Sequence, residues 1–219
     1  GEPAGSTVQD NWNTGDNMWH QYLANELGVL VVSIDNRGTK VPRGRDFRKC
    51  IYRQIGLLAA DDQAAAAKKM MTMFPFIDSA HVGMWGWSGG GQMTLHGLFR
   101  HGDIFKTGIA VSFVALQTLY DNIYQERYMG LPGDNKYGYK EGSPLTHAGK
   151  LQGKLLIIHG TGDDNVHYQN FEMMVNELIK NNKLFSMMSY PNRDHGIWQG
   201  VNTTLHLRRT MEQFWKLNL

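Results

Sequence analysis

The stretch His81-Val-Gly-Met-Trp-Gly-Trp87-Ser88-Gly-Gly-Gly91 decides how the rest of the chain is read. Its apolar first half is a predicted strand, and Gln92 to Phe99 continues it as a predicted helix. Between the two lies Gly86-x-Ser88-x-Gly90. A serine on a sharp strand-to-helix turn projects its hydroxyl outward, and flanking glycines let strand and helix pass close together. The helix behind turns its positive end towards developing negative charge. A glycine-rich turn that only joins strand to helix carries the same bare pattern, but the flanking elements favour a nucleophile.

Working outward, strands and helices alternate. Gly28-Val-Leu-Val-Val-Ser-Ile34 is a continuous apolar run, the pattern of a strand buried on both faces. An alanine- and methionine-rich helix is expected from Asp61 to Phe74, with acids at its start. Gly108 to Ser112, Lys154 to His159 and Phe185 to Tyr190 read as further strands. Phe171, Met174, Val175, Leu178 and Ile179 mark one helix, and Leu207, Met211, Phe214 and Trp215 a closing one. Such alternation predicts an α/β domain, a mostly parallel sheet with helices on both faces. Tyr120 to Lys150 lacks a clear period and reads as a long loop, a common site of function.

Composition narrows the classes. Of 219 residues 42% are hydrophobic, ample for a core, which excludes intrinsic disorder. Twenty-two basic and 20 acidic residues give a formal net charge of +2 without a basic cluster, so no nucleic-acid partner is expected. No apolar run is long enough to span a bilayer. The single Cys50 excludes an internal disulfide framework. No histidine pair has a zinc spacing, so neither metal nor cofactor is expected.

A serine hydroxyl needs a histidine to take its proton and a carboxylate to orient that histidine. In α/β-hydrolases these follow in the order serine, acid, histidine, beyond later strand ends. Asp163 and Asp164 follow the strand ending at His159, and His195 follows the strand ending at Tyr190. Asp163 is the chosen acid, with Asp164 read as a turn or capping residue. The other eight histidines lose on position: His159 lies within a strand, and His96 and His206 lie on helices.

Four motifs in order carry a resemblance that runs the length of the chain: Gly86-Trp-Ser-Gly-Gly90, Glu126-Arg-Tyr-Met-Gly-Leu-Pro132, His159-Gly-Thr-Gly-Asp-Asp-Asn-Val-His167 and Asp194-His195-Gly196. The sequence resembles the catalytic domain of the dipeptidyl peptidase IV group, within the prolyl oligopeptidase family of serine peptidases. The resemblance implies an α/β-hydrolase fold that releases N-terminal dipeptides, with proline or alanine second, through an acyl-enzyme on Ser88, Asp163 and His195. It implies that the Gly89 N–H is an oxyanion donor and that Asn165 holds a substrate carbonyl. Tyr120 and Tyr124 would grip the proline ring, and Val114 and Val166 would line the same pocket. Two positions depart from the group: Gly89 stands where tyrosine is common, and Gln117 where a pocket tryptophan is often found. Both loosen the expected preference for proline, and an acyl-peptide hydrolase or carboxylesterase on the same triad is the alternative.

The resemblance further implies a homodimer, a β-propeller that precedes this domain, and an exported, periplasmic or cell-surface home. It places a second oxyanion donor, a tyrosine, just before Gly1. Strands are predicted near 28–34, 82–87, 108–112, 155–159 and 185–190. The remaining strands of the family sheet would precede Gly1, so the whole of 1–219 is expected to be a catalytic domain truncated at its N-terminus. One absent strand would lie between the first two present, and its slot is expected to be filled by rearrangement, by a second copy or by residues beyond this chain. A catalytically silent fragment is the non-enzymatic alternative.

Overall fold

The computed structural model describes residue 8, residues 16–40 and residues 42–219. Helices α1 (Asp16–Leu27), α2 (Gly44–Lys49) and α3 (Leu58–Met73) precede the first strand, β1 (Gly83–Trp87). There follow α4 (Gly89–Arg100), β2 (Thr107–Val111), α5 (Asn122–Met129), α6 (Lys136–Glu141), β3 (Lys154–Gly160), α7 (Gln169–Lys180), β4 (Ser186–Tyr190) and α8 (Thr203–Asn218). The four strands pair in the order β1-β2-β3-β4, all parallel. Their carboxyl ends therefore lie along one edge, and the loops that leave that edge can carry a common site.

Helices cover both faces, as the alternation requires. One cluster packs Leu95, Leu98, Phe113, Phe171, Met174 and Leu178 with Leu155 and Ile157, so α4 and α7 share a face. The opposite cluster joins Ile109, Val111, Leu156 and Ile158 to Leu207, Met211 and Trp215 of α8. Successive residues of β2 and β3 thus serve different faces, and the centres of both strands, Ile109–Val111 and Leu155–Ile158, are unbroken apolar runs. β1 is half-buried throughout, whereas β2 is fully buried.

Two expectations need correction. Residues 28–36 form no strand, although Val29 and Val31 pack against the α8-side cluster. A ladder needs a neighbour with free N–H and C=O groups, and among the described residues none pairs with this segment or with the second edge of β1. Leu30 and Val32 are 57% and 44% exposed, so the run is buried on one side only. The segment 120–150 is not a loop throughout: it holds α5, α6 and a 3₁₀ stretch, Pro144–Lys150. Side-chain caps start both helices, Asp121 accepting from Tyr124 N–H and Asn135 from Gly138 N–H.

Candidate active site

The elbow forms where β1 ends. Ser88 has φ 59° and ψ −120°, a strained conformation for a side chain to hold. Its N–H still extends the ladder, donating to Val111 O at 2.9 Å. Gly86 and Gly90 make the turn possible, since a Cβ on Gly86 would sit 2.2 Å from the Gly90 carbonyl group. Gly89 opens α4, so its N–H has no acceptor within the helix. A Cβ there would meet nothing within 4 Å, which leaves open space beside the serine.

The candidate acid and base, Asp163 and His195, come from the turns after β3 and β4. Asp163 is buried, and its Oδ1 accepts the N–H groups of Asn165 (3.0 Å) and Val166 (2.8 Å). Its Oδ2 lies 2.8 Å from His195 Nδ1. Burial alone would raise its pKa, but hydrogen bonds from His159, His195 and Val166 outweigh that and hold it well below the usual carboxylate range. Asp164, the alternative acid, is exposed.

The backbone of His195 is tied to the residue that precedes Ser88 and to the end of β2. Trp87 Nε1 and Ser112 Oγ both donate to His195 O, at 2.8 and 3.3 Å. Trp87 is the residue before Ser88, so one indole ties the main chain of His195 to the elbow. The loop carrying His195 also lies directly on the acid's turn: Gly162 N–H donates to Arg193 O at 3.0 Å. A Cβ on Gly160 would stand 2.2 Å from the same oxygen, so glycine is required for that approach.

Tyr120, Tyr124 and Asn165 meet on this edge. The Tyr120 hydroxyl donates to Asn165 Oδ1 at 2.9 Å, and the rings of Tyr120 and Tyr124 stand edge to face 5.2 Å apart. Burial, helped by Asp121 and Asp163, raises the Tyr120 hydroxyl pKa. Tyr120 precedes α5 rather than lying on it, so the pair meets by chain turn and not by helical spacing. Val114 and Val166 are buried, and Val166 contributes its backbone to the acid's turn. Gln117 is not a wall of open space. It is fully buried, donating to Gly142 O at 2.9 Å and accepting from Gln125 Nε2 at 2.5 Å.

Sequence reasoning passed over His159, whose Nε2 lies 3.1 Å from Asp163 Oδ2. The signal was its place four residues before the acid, across the turn that closes β3. The second oxyanion donor expected before Gly1 lies outside the described residues. Among the described residues no set of three or more His, Cys, Asp or Glu side chains is placed to hold a metal ion. A cavity bounded by Leu151–Leu155 and Asn182–Ser186 opens at the amino ends of β3 and β4, away from Ser88.

A parallel sheet between helices, with a strained serine between β1 and α4, places the chain in the α/β-hydrolase class of folds. The prolyl oligopeptidase family model matches residues 15–219, and the chain belongs to that family. Among curated relatives, the venom dipeptidyl peptidase 4 of Vespa velutina is 38% identical over 201 residues, 90% of this chain and 25% of that protein. The probable dipeptidyl-aminopeptidase B of Metarhizium robertsii is 40% identical over 195 residues, 87% of this chain and 21% of its own. The crystal structure of Porphyromonas gingivalis dipeptidyl peptidase 4 superposes with a TM-score of 0.87 at 39% identity, covering 100% of this chain and 30% of that one. The chain thus spans about a quarter of the length of the curated relatives it matches.

Proposed function

We propose that this chain is the catalytic domain of a serine peptidase that hydrolyses peptide bonds through an acyl-enzyme. The observation that carries this is the 2.8 Å contact between His195 Nδ1 and a buried, ionised Asp163, on a loop bonded to the residue before the strained Ser88. His195 Nε2 takes the Ser88 proton as Oγ bonds to the scissile carbonyl carbon. The oxyanion is met by the Gly89 N–H at the helix start. His195 then gives the proton to the departing amine, and the acyl-enzyme forms as the C–N bond breaks. Water, deprotonated by His195, releases the acid product and restores Ser88. Asp163 stays charged throughout and orients the ring.

The substrate class we assign is peptides with a free N-terminus and proline or alanine second. The edge-to-face tyrosines suit a flat, apolar ring that offers no N–H, and Asn165, held by Tyr120, can donate its amide to a substrate carbonyl. The named relatives are dipeptidyl peptidases, which fits this assignment. One observation favours a broader acyl-peptide or ester substrate: the open space beside Gly89, where a bulky residue would narrow the pocket. Association as a homodimer in the full-length protein belongs to the same proposal.

The test is fluorophosphonate labelling of the full-length protein and its Ser88→Ala variant, followed by turnover of Gly-Pro, Ala-Ala and acetyl-amino-acid chromogenic substrates. Labelling lost in the variant, with Gly-Pro fastest, is expected. Absence of labelling in the full-length protein overturns the enzyme reading. Faster acetyl-ester than Gly-Pro cleavage overturns the substrate class.

A further inference from the structure

Asp163 has more partners than the orientation of one imidazole requires. Its Oδ2 faces His195 Nδ1 at 2.8 Å and also His159 Nε2 at 3.1 Å. His159 is fully buried near the end of β3, and the same Nε2 lies 2.9 Å from Val166 O. A carbonyl oxygen can only accept, so Nε2 carries a hydrogen that it donates to Val166 O while standing 3.1 Å from Asp163 Oδ2. Nδ1 has no hydrogen-bond partner among the described residues. The ring is enclosed edge-on by Phe113, Tyr168 and Phe171. An imidazole needed only for packing would be better replaced by an apolar ring, because burying an unpartnered nitrogen has a cost.

We propose that His159 is a positioning residue for the proton relay. It fixes the Asp163 rotamer that presents Oδ2 to His195, and it limits how strongly that oxygen retains a proton on His195. This rests on the assignment of Asp163 and His195 above. A hydrogen bond donated to Oδ2 draws charge from it. Without the donor, Oδ2 attracts the imidazolium more strongly, and the acidic limb of the acylation profile is expected to move. The other groups facing this pair are few. Oδ1 is occupied by two backbone N–H groups, Tyr120 lies on the Asn165 side, and the Tyr168 hydroxyl is engaged by Ser189 Oγ at 2.8 Å.

The experiment compares full-length wild type with His159→Phe, which keeps the ring shape, and His159→Gln, which keeps a donor. Two quantities are read: the pH dependence of the fluorophosphonate acylation rate, and the His195 Nδ1–H resonance in protein labelled with ¹⁵N-histidine. In H159F the acylation rate should fall about tenfold or more. Its acidic limb should move up by about half a pH unit or more, and the resonance should shift. H159Q should recover most of the rate and the limb. Equal slowing in both variants with an unmoved limb and resonance means a packing role only, and overturns the proposal. So does H159F at the wild-type rate with an unmoved resonance. If wild type does not label but the resonance moves in H159F alone, the positioning contact stands and the peptidase reading falls.

Discussion

Two histidines in this domain are buried to the same degree and held in the same manner, yet their surroundings assign them different work. His159 and His96 are both fully inaccessible. Each directs Nε2 at a main-chain oxygen 2.9 Å away, Val166 O and Gly142 O respectively, and neither Nδ1 has a partner among the described residues. The difference is one carboxylate. His159 also faces Asp163, whereas His96 faces the ring of His147 and shares Gly142 O with Gln92 and Gln117. Burial pulls the His96 pKa down to about 3, with nearby Arg100, His147 and His101 acting in the same direction. The same ring in the same kind of interior is thus tied to chemistry at one place and to the fold at the other.

The largest effect expected breaks the comparison at the carboxylate. Asp163→Asn keeps the shape, but with its oxygen held by the Asn165 and Val166 N–H groups it turns an NH₂ group, which cannot accept, towards His195 Nδ1–H. The imidazole then adopts the wrong tautomer, and kcat should fall by about 10⁴ with little change in KM. Steady-state kinetics on a Gly-Pro substrate checks this, and a loss of only a few fold would remove Asp163 from the relay. Because the folded-state pKa of Asp163 is depressed, its charge is present above the ordinary carboxylate value of 3.8 and is lost only at still lower pH. Activity lost between pH 7 and 5 should therefore not come from protonation of Asp163.

His96 supplies the next effect, on stability. Its folded pKa of about 3 lies below the ordinary 6.5, so between these values the unfolded chain binds a proton that the folded one refuses. Stability should be full above pH 6.5 and should decline as pH falls towards 3, by up to about 4–5 kcal/mol. His96→Gln retains an Nε2 donor for Gly142 O but does not titrate. Urea midpoints measured from pH 7 to 4 should fall more steeply for wild type than for H96Q, and parallel slopes would show that His96 does not control the acid limit.

What the sequence disclosed about these places follows from range. The elbow and the proposed acid and base sit at strand ends, and each is specified by a short local pattern: Gly86-x-Ser88-x-Gly90, Asp163 after β3 and His195 after β4. The order of elements was equally local, since apolar runs and helical periods mark them. Residues 28–34 misled because an apolar run reports burial and not pairing, and pairing depends on a distant partner. Asp121 and Asn135 precede α5 and α6 as plain caps, but weak periodicity in both helices hid them. His159 was dismissed for lying in a strand, although a tight turn brings residue 163 back beside it. The network around Gln117 was not legible because its partners, Gly142 and Gln125, come from separate parts of the chain, and no local pattern announces a buried amide network.

That network permits a smaller perturbation, confined to the His96 side. Gln117→Leu removes one of three side-chain donors on Gly142 O and leaves the buried Gln125 amide without its acceptor. A cost of about 1–3 kcal/mol is expected, read as a lower urea midpoint. Because the network contacts neither Asp163 nor His195, kcat should hold. If kcat falls with stability, the two histidine regions are coupled and the contrast between them fails.

The smallest effect lies at the mouth of the site. Tyr120→Phe deletes only the hydroxyl that donates to Asn165 Oδ1 at 2.9 Å, and leaves the ring against Tyr124. This bond fixes which way the Asn165 amide points: with its oxygen occupied by Tyr120, the NH₂ group is left to face a substrate carbonyl. The bond is partly solvent-exposed, so its loss should raise KM by about two- to fivefold and leave kcat unchanged. The binding penalty should be the same for Gly-Pro and Ala-Ala substrates, because both offer Asn165 a carbonyl. A penalty confined to the proline substrate would mean that the hydroxyl acts through the aromatic wall instead, and would transfer the discrimination of substrates from Gly89's open space to Tyr120 itself.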